Sequence, residues 1–71
     1  MQFSPARLRA LREEANLSRQ ALADASGISK STIKRLENGY GPDGMQASTI
    51  AALATALGRD PSMFFKEEAA A

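Results

Sequence analysis

The chain predicts an all-α fold, a compact bundle of five short helices, and three observations carry that expectation. Apolar side chains recur three or four apart, as in Leu8 and Leu11, Ile33 and Leu36, and Ile50, Leu53 and Leu57, a spacing that gathers them on one side of a helix. Ser4, Ser18, Ser29 and Asp60 each stand where a capping side chain can open a helix. No run of useful length alternates with the two-residue period of a half-buried strand, and no repeat is present.

In chain order, Ser4 and Pro5 supply an N-cap and a first-turn proline for a helix running to about Ala15, with Leu8, Leu11 and Ala15 as its apolar stripe. Ser18 opens a second helix at Arg19. Leu22 faces the core, and Ala23 is small enough to let another helix cross close by. Gly27 follows about one turn later and can adopt the left-handed conformation that a tight helix-to-helix corner requires. Ser29 caps the third helix, and Ile28 just before it can pack back onto the Ile33 and Leu36 stripe. Asn38 and Gly39 end that helix. The stretch from Tyr40 to Gly44 is turn chemistry without periodicity. The Ile50, Leu53 and Leu57 stripe then marks a fourth, alanine-rich helix closed by Gly58. Asp60 and Pro61 start a fifth short helix containing Met63, Phe64 and Phe65. Residues 1–66 are expected to form one domain, with 67–71 as a short tail.

The segment from Leu17 to Gly39 is the most informative. Two helices joined by a Gly-containing turn form a helix-turn-helix unit. Counting about 100° per residue from Lys30 puts Ile33 and Leu36 at roughly 300° and 240°, which fixes the buried direction near 270°. Lys34, Ser31 and Arg35 then lie within about 50° of the outward direction, with Lys30 on the flank. Such a face suits a DNA groove: Lys and Arg satisfy phosphates or the acceptor edge of guanine, and hydroxyls meet most bases. The plain alternative is an ordinary solvated surface.

Glu37 breaks the pattern. It falls at roughly 340°, beside Ile33, and lies in the last turn, where the helix dipole disfavours an anion. Arg12 sits on the edge of the first helix's stripe, so an inward-leaning Arg12–Glu37 ion pair is expected to compensate the carboxylate and set the angle between first and third helices.

Composition restricts the function. A 71-residue chain without cysteine has neither disulfides nor thiolate metal sites, and without histidine it lacks the commonest general base and metal ligand. Adjacent Glu13 and Glu14, like Glu67 and Glu68, point to different sides of a helix and make no catalytic dyad. No phosphate-binding glycine loop is present, so an enzyme is not expected, nor a cofactor or metal. There is no membrane-spanning stretch and no signal-peptide pattern at Met1, which leads to the expectation of a cytoplasmic protein. The net charge of +1 is unevenly spread. Seven basic and four acidic side chains lie in residues 1–40, against two basic and four acidic ones in 41–71, so the positive end is the end with the turn.

With those residues in place, the chain resembles the Cro/cI-type helix-turn-helix family, the lambda-repressor-like DNA-binding domains that include xenobiotic-response-element-like regulators. The resemblance covers about residues 5–65 and rests on LRALREEANLS, ALADASGIS, IKRLENG and STIAALATALGRDP together. It implies a five-helix domain whose second and third helices form the DNA-reading unit. Carried over residue by residue, it implies base contacts from Lys30, Ser31 and Arg35, with Thr32 and Lys34 nearer the backbone and Asn38 on a phosphate. The family's inward Arg and Glu match Arg12 and Glu37. Two departures stand out. The first residue of the second helix is often Gln in the family and is Arg19 here, which keeps a phosphate contact and loses the neutral amide. The connection after the third helix is about two residues longer than in the commonest members, and Tyr40 either reaches the DNA backbone or belongs to a slack loop.

The expected function is that of a sequence-specific, double-stranded DNA-binding transcriptional regulator, in character a repressor, that reads the major groove with about residues 29–38. Base contacts fall to Lys30, Ser31 and Arg35, and phosphate contacts to Arg19, Ser29, Thr32, Lys34, Asn38 and Tyr40. Arg12 and Glu37 are the structural pair, and Ala23 and Gly27 form the turn. A homodimer on two half-sites is the expected assembly, with Met63, Phe64 and Phe65 as candidate contacts unless a phenylalanine caps the core against Leu53 and Leu57. An antitoxin or protein-binding adaptor on the same fold, with a protein partner, is the alternative.

Overall fold

The computed structural model describes residues 2–39 and 47–66. Four α-helices, α1 (Pro5–Glu14), α2 (Arg19–Ser26), α3 (Lys30–Glu37) and α4 (Ala47–Leu57), are followed by a 3₁₀ turn at Pro61–Phe64. A two-residue strand at each end, β1 (Gln2–Phe3) and β2 (Phe65–Lys66), pairs antiparallel with Phe3 opposite Phe65. Among the described residues the five-helix expectation is therefore corrected to four α-helices, with a 3₁₀ turn in place of the fifth. The physical reason is length: only four residues separate Asp60 from the strand at Phe65, too few to propagate an α-helix once its costly first turn is formed.

Capping explains where the helices begin. The Ser4, Ser18 and Ser29 hydroxyls accept from the backbone N–H of Arg7, Ala21 and Thr32 at 3.3, 3.0 and 3.2 Å. The Asp60 carboxylate accepts from Ser62 N–H at 2.9 Å, and this bond holds its pKa below the usual carboxylate range. At the far end of α2, Gly27 adopts φ +76° and its N–H donates to the Ala23 carbonyl at 2.9 Å. Asn16 does the same service after α1. It stands at φ +59°, and Leu17 N–H reaches back to the Arg12 carbonyl at 3.2 Å, the reverse turn of a left-handed helix cap. Asn tolerates that region better than any residue with a bulkier side chain. Ala15, placed on the buried stripe of α1 by periodicity, lies beyond the last helical residue and is exposed.

The core is one cluster of Leu8, Leu11, Leu22, Ala23, Ile33, Leu36, Leu53, Ala54, Leu57 and Phe64, with Ile28 and Ile50 packed on its margin. α2 packs against both α3 and α4, and α1 packs against α3 and the 3₁₀ turn. Phe64 is fully buried, and Phe3 lies against it with ring centroids 6.0 Å apart. Among the described residues Met63 is the large apolar side chain left exposed, at 38%. The paired strands adjoin the 3₁₀ turn, and the turn packs on α1 and α4.

Candidate nucleic-acid interface

The site starts from the Gly27 corner. A residue with a Cβ would be strained at φ +76° although nothing lies within 4 Å of where the Cβ would stand, so the requirement for glycine is one of backbone conformation and not of space. The corner fixes α3 relative to α2, and buried Ala23 lies where the two helices meet the core. Ile33 and Leu36 anchor α3 inward, and Lys30, Ser31, Lys34 and Arg35 are all exposed, on the side that angular counting assigns to them. Lys30, Lys34 and Arg35 have no acidic partner among the described residues. By contrast, Arg9 is paired with Glu13 at 3.4 Å and Arg59 with Glu14 at 3.7 Å on other surfaces.

Ser29 and Thr32 are occupied by the cap. The Ser29 hydroxyl accepts from Thr32 N–H and donates to Thr32 Oγ1 at 2.8 Å, which leaves the Thr32 O–H as the free donor of the two. Asn38 is exposed at the end of α3 and its backbone N–H closes the helix on Lys34 and Arg35 carbonyls. Tyr40 and the rest of the Tyr40–Gly44 stretch lie outside the described residues.

Behind this face lies a buried ionic cluster. Arg12 Nε donates to Glu37 Oε2 at 2.6 Å and Arg12 Nη2 to Oε1 at 3.1 Å, a two-point bond. Arg12 Nη1 donates to the Leu17 carbonyl at 2.8 Å, so one guanidinium ties α1, the α1–α2 connection and α3. The bond to Glu37 raises the Arg12 pKa despite the opposing effect of burial. Arg19 Nε adds a third donor, to Glu37 Oε1 at 3.1 Å. The Glu37 side chain is 0% exposed, and no buried side-chain polar atom among the described residues lacks a partner.

The bond from Arg19 to Glu37 is absent from the sequence reading, which gives Arg19 only to a phosphate. One signal for it exists. A carboxylate has about four acceptor sites, and a bidentate arginine fills two, so a buried Glu37 in a helix's last turn is owed further donors. Which residue provides them depends on how α2 crosses α3, and spacing along the chain carries no such information.

Residues 6–64 match the helix-turn-helix domain family. Among solved structures, the restriction-modification controller protein C.AhdI from Aeromonas hydrophila is 36% identical, with a TM-score of 0.79 over 86% of this chain and 89% of that one. No curated protein matches.

Proposed function

The chain belongs to the helix-turn-helix domain family, of the Cro/cI type, which makes it a DNA-binding regulator and not an enzyme, and we propose that it reads duplex DNA sequence-specifically through α3, acting as a repressor. The observation that carries this reading is the outer face of α3, where Lys30, Lys34 and Arg35 are exposed and unpaired among the described residues. Lys30, Ser31 and Arg35 read base edges in the major groove. Arg19, Lys34, Thr32, Ser29, Asn38 and Tyr40 hold phosphates and set the register. Residues 1–66 are the binding unit and 67–71 a tail. Similarity to a restriction-modification controller supports a regulatory role, and repression needs nothing beyond occupancy of the promoter. The site of action is the cytoplasm, where no membrane contact is required; among the described residues no helix is long and apolar enough to cross a membrane.

On DNA the protein pairs as a homodimer across two half-sites about 34 Å apart. Selection of bound duplexes from a random library tests the whole reading. The expected result is a two-fold symmetric sequence with that spacing, bound with an affinity that falls steeply as salt rises. Recovery of no preferred sequence, together with salt-independent binding to a protein, would favour the antitoxin or adaptor reading instead.

A further inference from the structure

Glu37 is met by two guanidiniums, and its single negative charge is balanced by one of them. Arg12 makes the two-point bond, places its remaining nitrogen on the Leu17 carbonyl and is itself buried, so all three of its nitrogens are engaged within the fold. Arg19 is therefore the positive charge in surplus. Its Nε is committed to Glu37 Oε1 at 3.1 Å, and neither Nη has a partner among the described residues. The side chain is 31% exposed while the carboxylate that holds it is 0% exposed. A guanidinium is planar and rigid, so fixing Nε against a buried anchor leaves the Nη donors with a restricted set of directions instead of the wide sweep of a free surface arginine.

We propose that Glu37 is a positioning residue for Arg19, and that the pair forms a pre-set clamp for one phosphodiester of the duplex backbone. Glu37 lies in α3 and Arg19 opens α2, so the clamp also ties the phosphate contact to the angle at which α3 is held. Binding a phosphate here needs less further ordering than a free surface arginine would, because the bond to Glu37 already restricts the side chain. The proposal rests on the DNA-reading function above and concerns sequence-independent affinity within it.

The test compares the full chain with Arg19→Gln and Arg19→Lys, each titrated with its selected duplex and with a random-sequence duplex of equal length, over a range of salt. Arg19→Gln is expected to lower affinity for both duplexes by the same factor and to reduce the log–log salt slope by about 0.9 per subunit. That slope change narrows the gap from wild type by about 3.5-fold between about 50 and about 200 mM salt. Arg19→Lys keeps the charge but has no rigid fork to share between Glu37 and a phosphate, so it too is expected to bind more weakly than wild type. In a Glu37→Gln background, Arg19→Gln is expected to cost less than it does in the wild type. Wild-type affinity in Arg19→Lys, or an equal cost of Arg19→Gln in both backgrounds, would overturn the positioning role. An unchanged salt slope with a lowered melting temperature in Arg19→Gln would reduce Arg19 to a structural partner of Glu37. Failure of the wild-type chain to bind either duplex is a different outcome and overturns the DNA-reading function itself. If Glu37→Gln does not fold, the lysine variant alone decides.

Discussion

Arg12 and Glu37, twenty-five positions apart in the chain, meet through two hydrogen bonds of 2.6 and 3.1 Å inside the domain. The bond joins the first helix to the last turn of α3, the place where a carboxylate would otherwise face the unsatisfied carbonyl end of the helix. Its value lies in what remains when it is broken. Arg12→Met or Glu37→Leu alone leaves a buried charge without its main partner, and each is expected to cost about 3 to 5 kcal/mol. The joint replacement Arg12→Met with Glu37→Leu is expected to come close to neutral. Denaturant unfolding of the four proteins of this cycle checks it, and additive losses would count against coupling.

Arg35→Ala is expected to lose about 1 to 3 kcal/mol of affinity for the selected duplex and to relax preference at one base position. Lys34→Ala, also on the exposed face but assigned to the backbone, is expected to weaken selected and random duplexes alike. Parallel titrations of both variants on a set of single-base operator changes check the division. Identical profiles for the two would remove it.

At the corner, Gly27→Ala is expected to cost about 1 to 2 kcal/mol through left-handed backbone strain alone, since the added Cβ meets no neighbour within 4 Å. Gly27→Asn is expected to cost less, because Asn enters that region more readily. Urea midpoints for the two variants provide the comparison. A loss in Gly27→Asn as large as in Gly27→Ala would point to something other than φ.

Phe64 and Met63 are neighbours in the 3₁₀ turn with opposite surroundings. Phe64→Ala empties a fully buried site and is expected to cost about 3 to 5 kcal/mol, a large part of the stability available to a domain of this size. Met63→Ala should stay within about 0.5 kcal/mol. Thermal melts distinguish them. A comparable loss for Met63, dependent on protein concentration, would place it in an interface between copies.

Asp60 gives a pH dependence of known sign. Its carboxylate accepts from Ser62 N–H, so the folded state holds its pKa below the ordinary value. A depressed pKa contributes stability that is present above the ordinary carboxylate range and lost as pH falls through the folded value. Asp60→Asn keeps an acceptor for the cap and removes the titration. Between neutral pH and acid, the wild type is expected to lose stability relative to this variant, measured as the difference in melting temperature. A constant difference across that range would contradict the assignment.

Much of the architecture was legible in the residues because it is local chemistry. Serine caps at Ser4, Ser18 and Ser29, the left-handed Gly27 and the Ile33 and Leu36 stripe each involve groups within a few positions of one another, where spacing translates directly into geometry. The outward setting of Lys30, Ser31, Lys34 and Arg35 follows from the same arithmetic. Element ends were less legible. Ala15 continues the period of α1, yet the chain has already turned at Asn16, and the segment after Pro61 has helix-opening chemistry but is diverted when Phe65 pairs with Phe3. Both outcomes depend on contacts with distant residues.

The ionic cluster marks the boundary between the two kinds of information. By itself the sequence determined that Glu37 is misplaced for a solvated carboxylate and that Arg12 is oriented to meet it, since each statement needs only the period of one helix. The tertiary structure alone decided that Arg19 joins them and that the Leu17 carbonyl takes the last Arg12 donor. Those contacts depend on the crossing of α2 over α3 and on the left-handed turn at Asn16. A helix's period says which way a side chain faces, and only the packing of several helices says what it finds there.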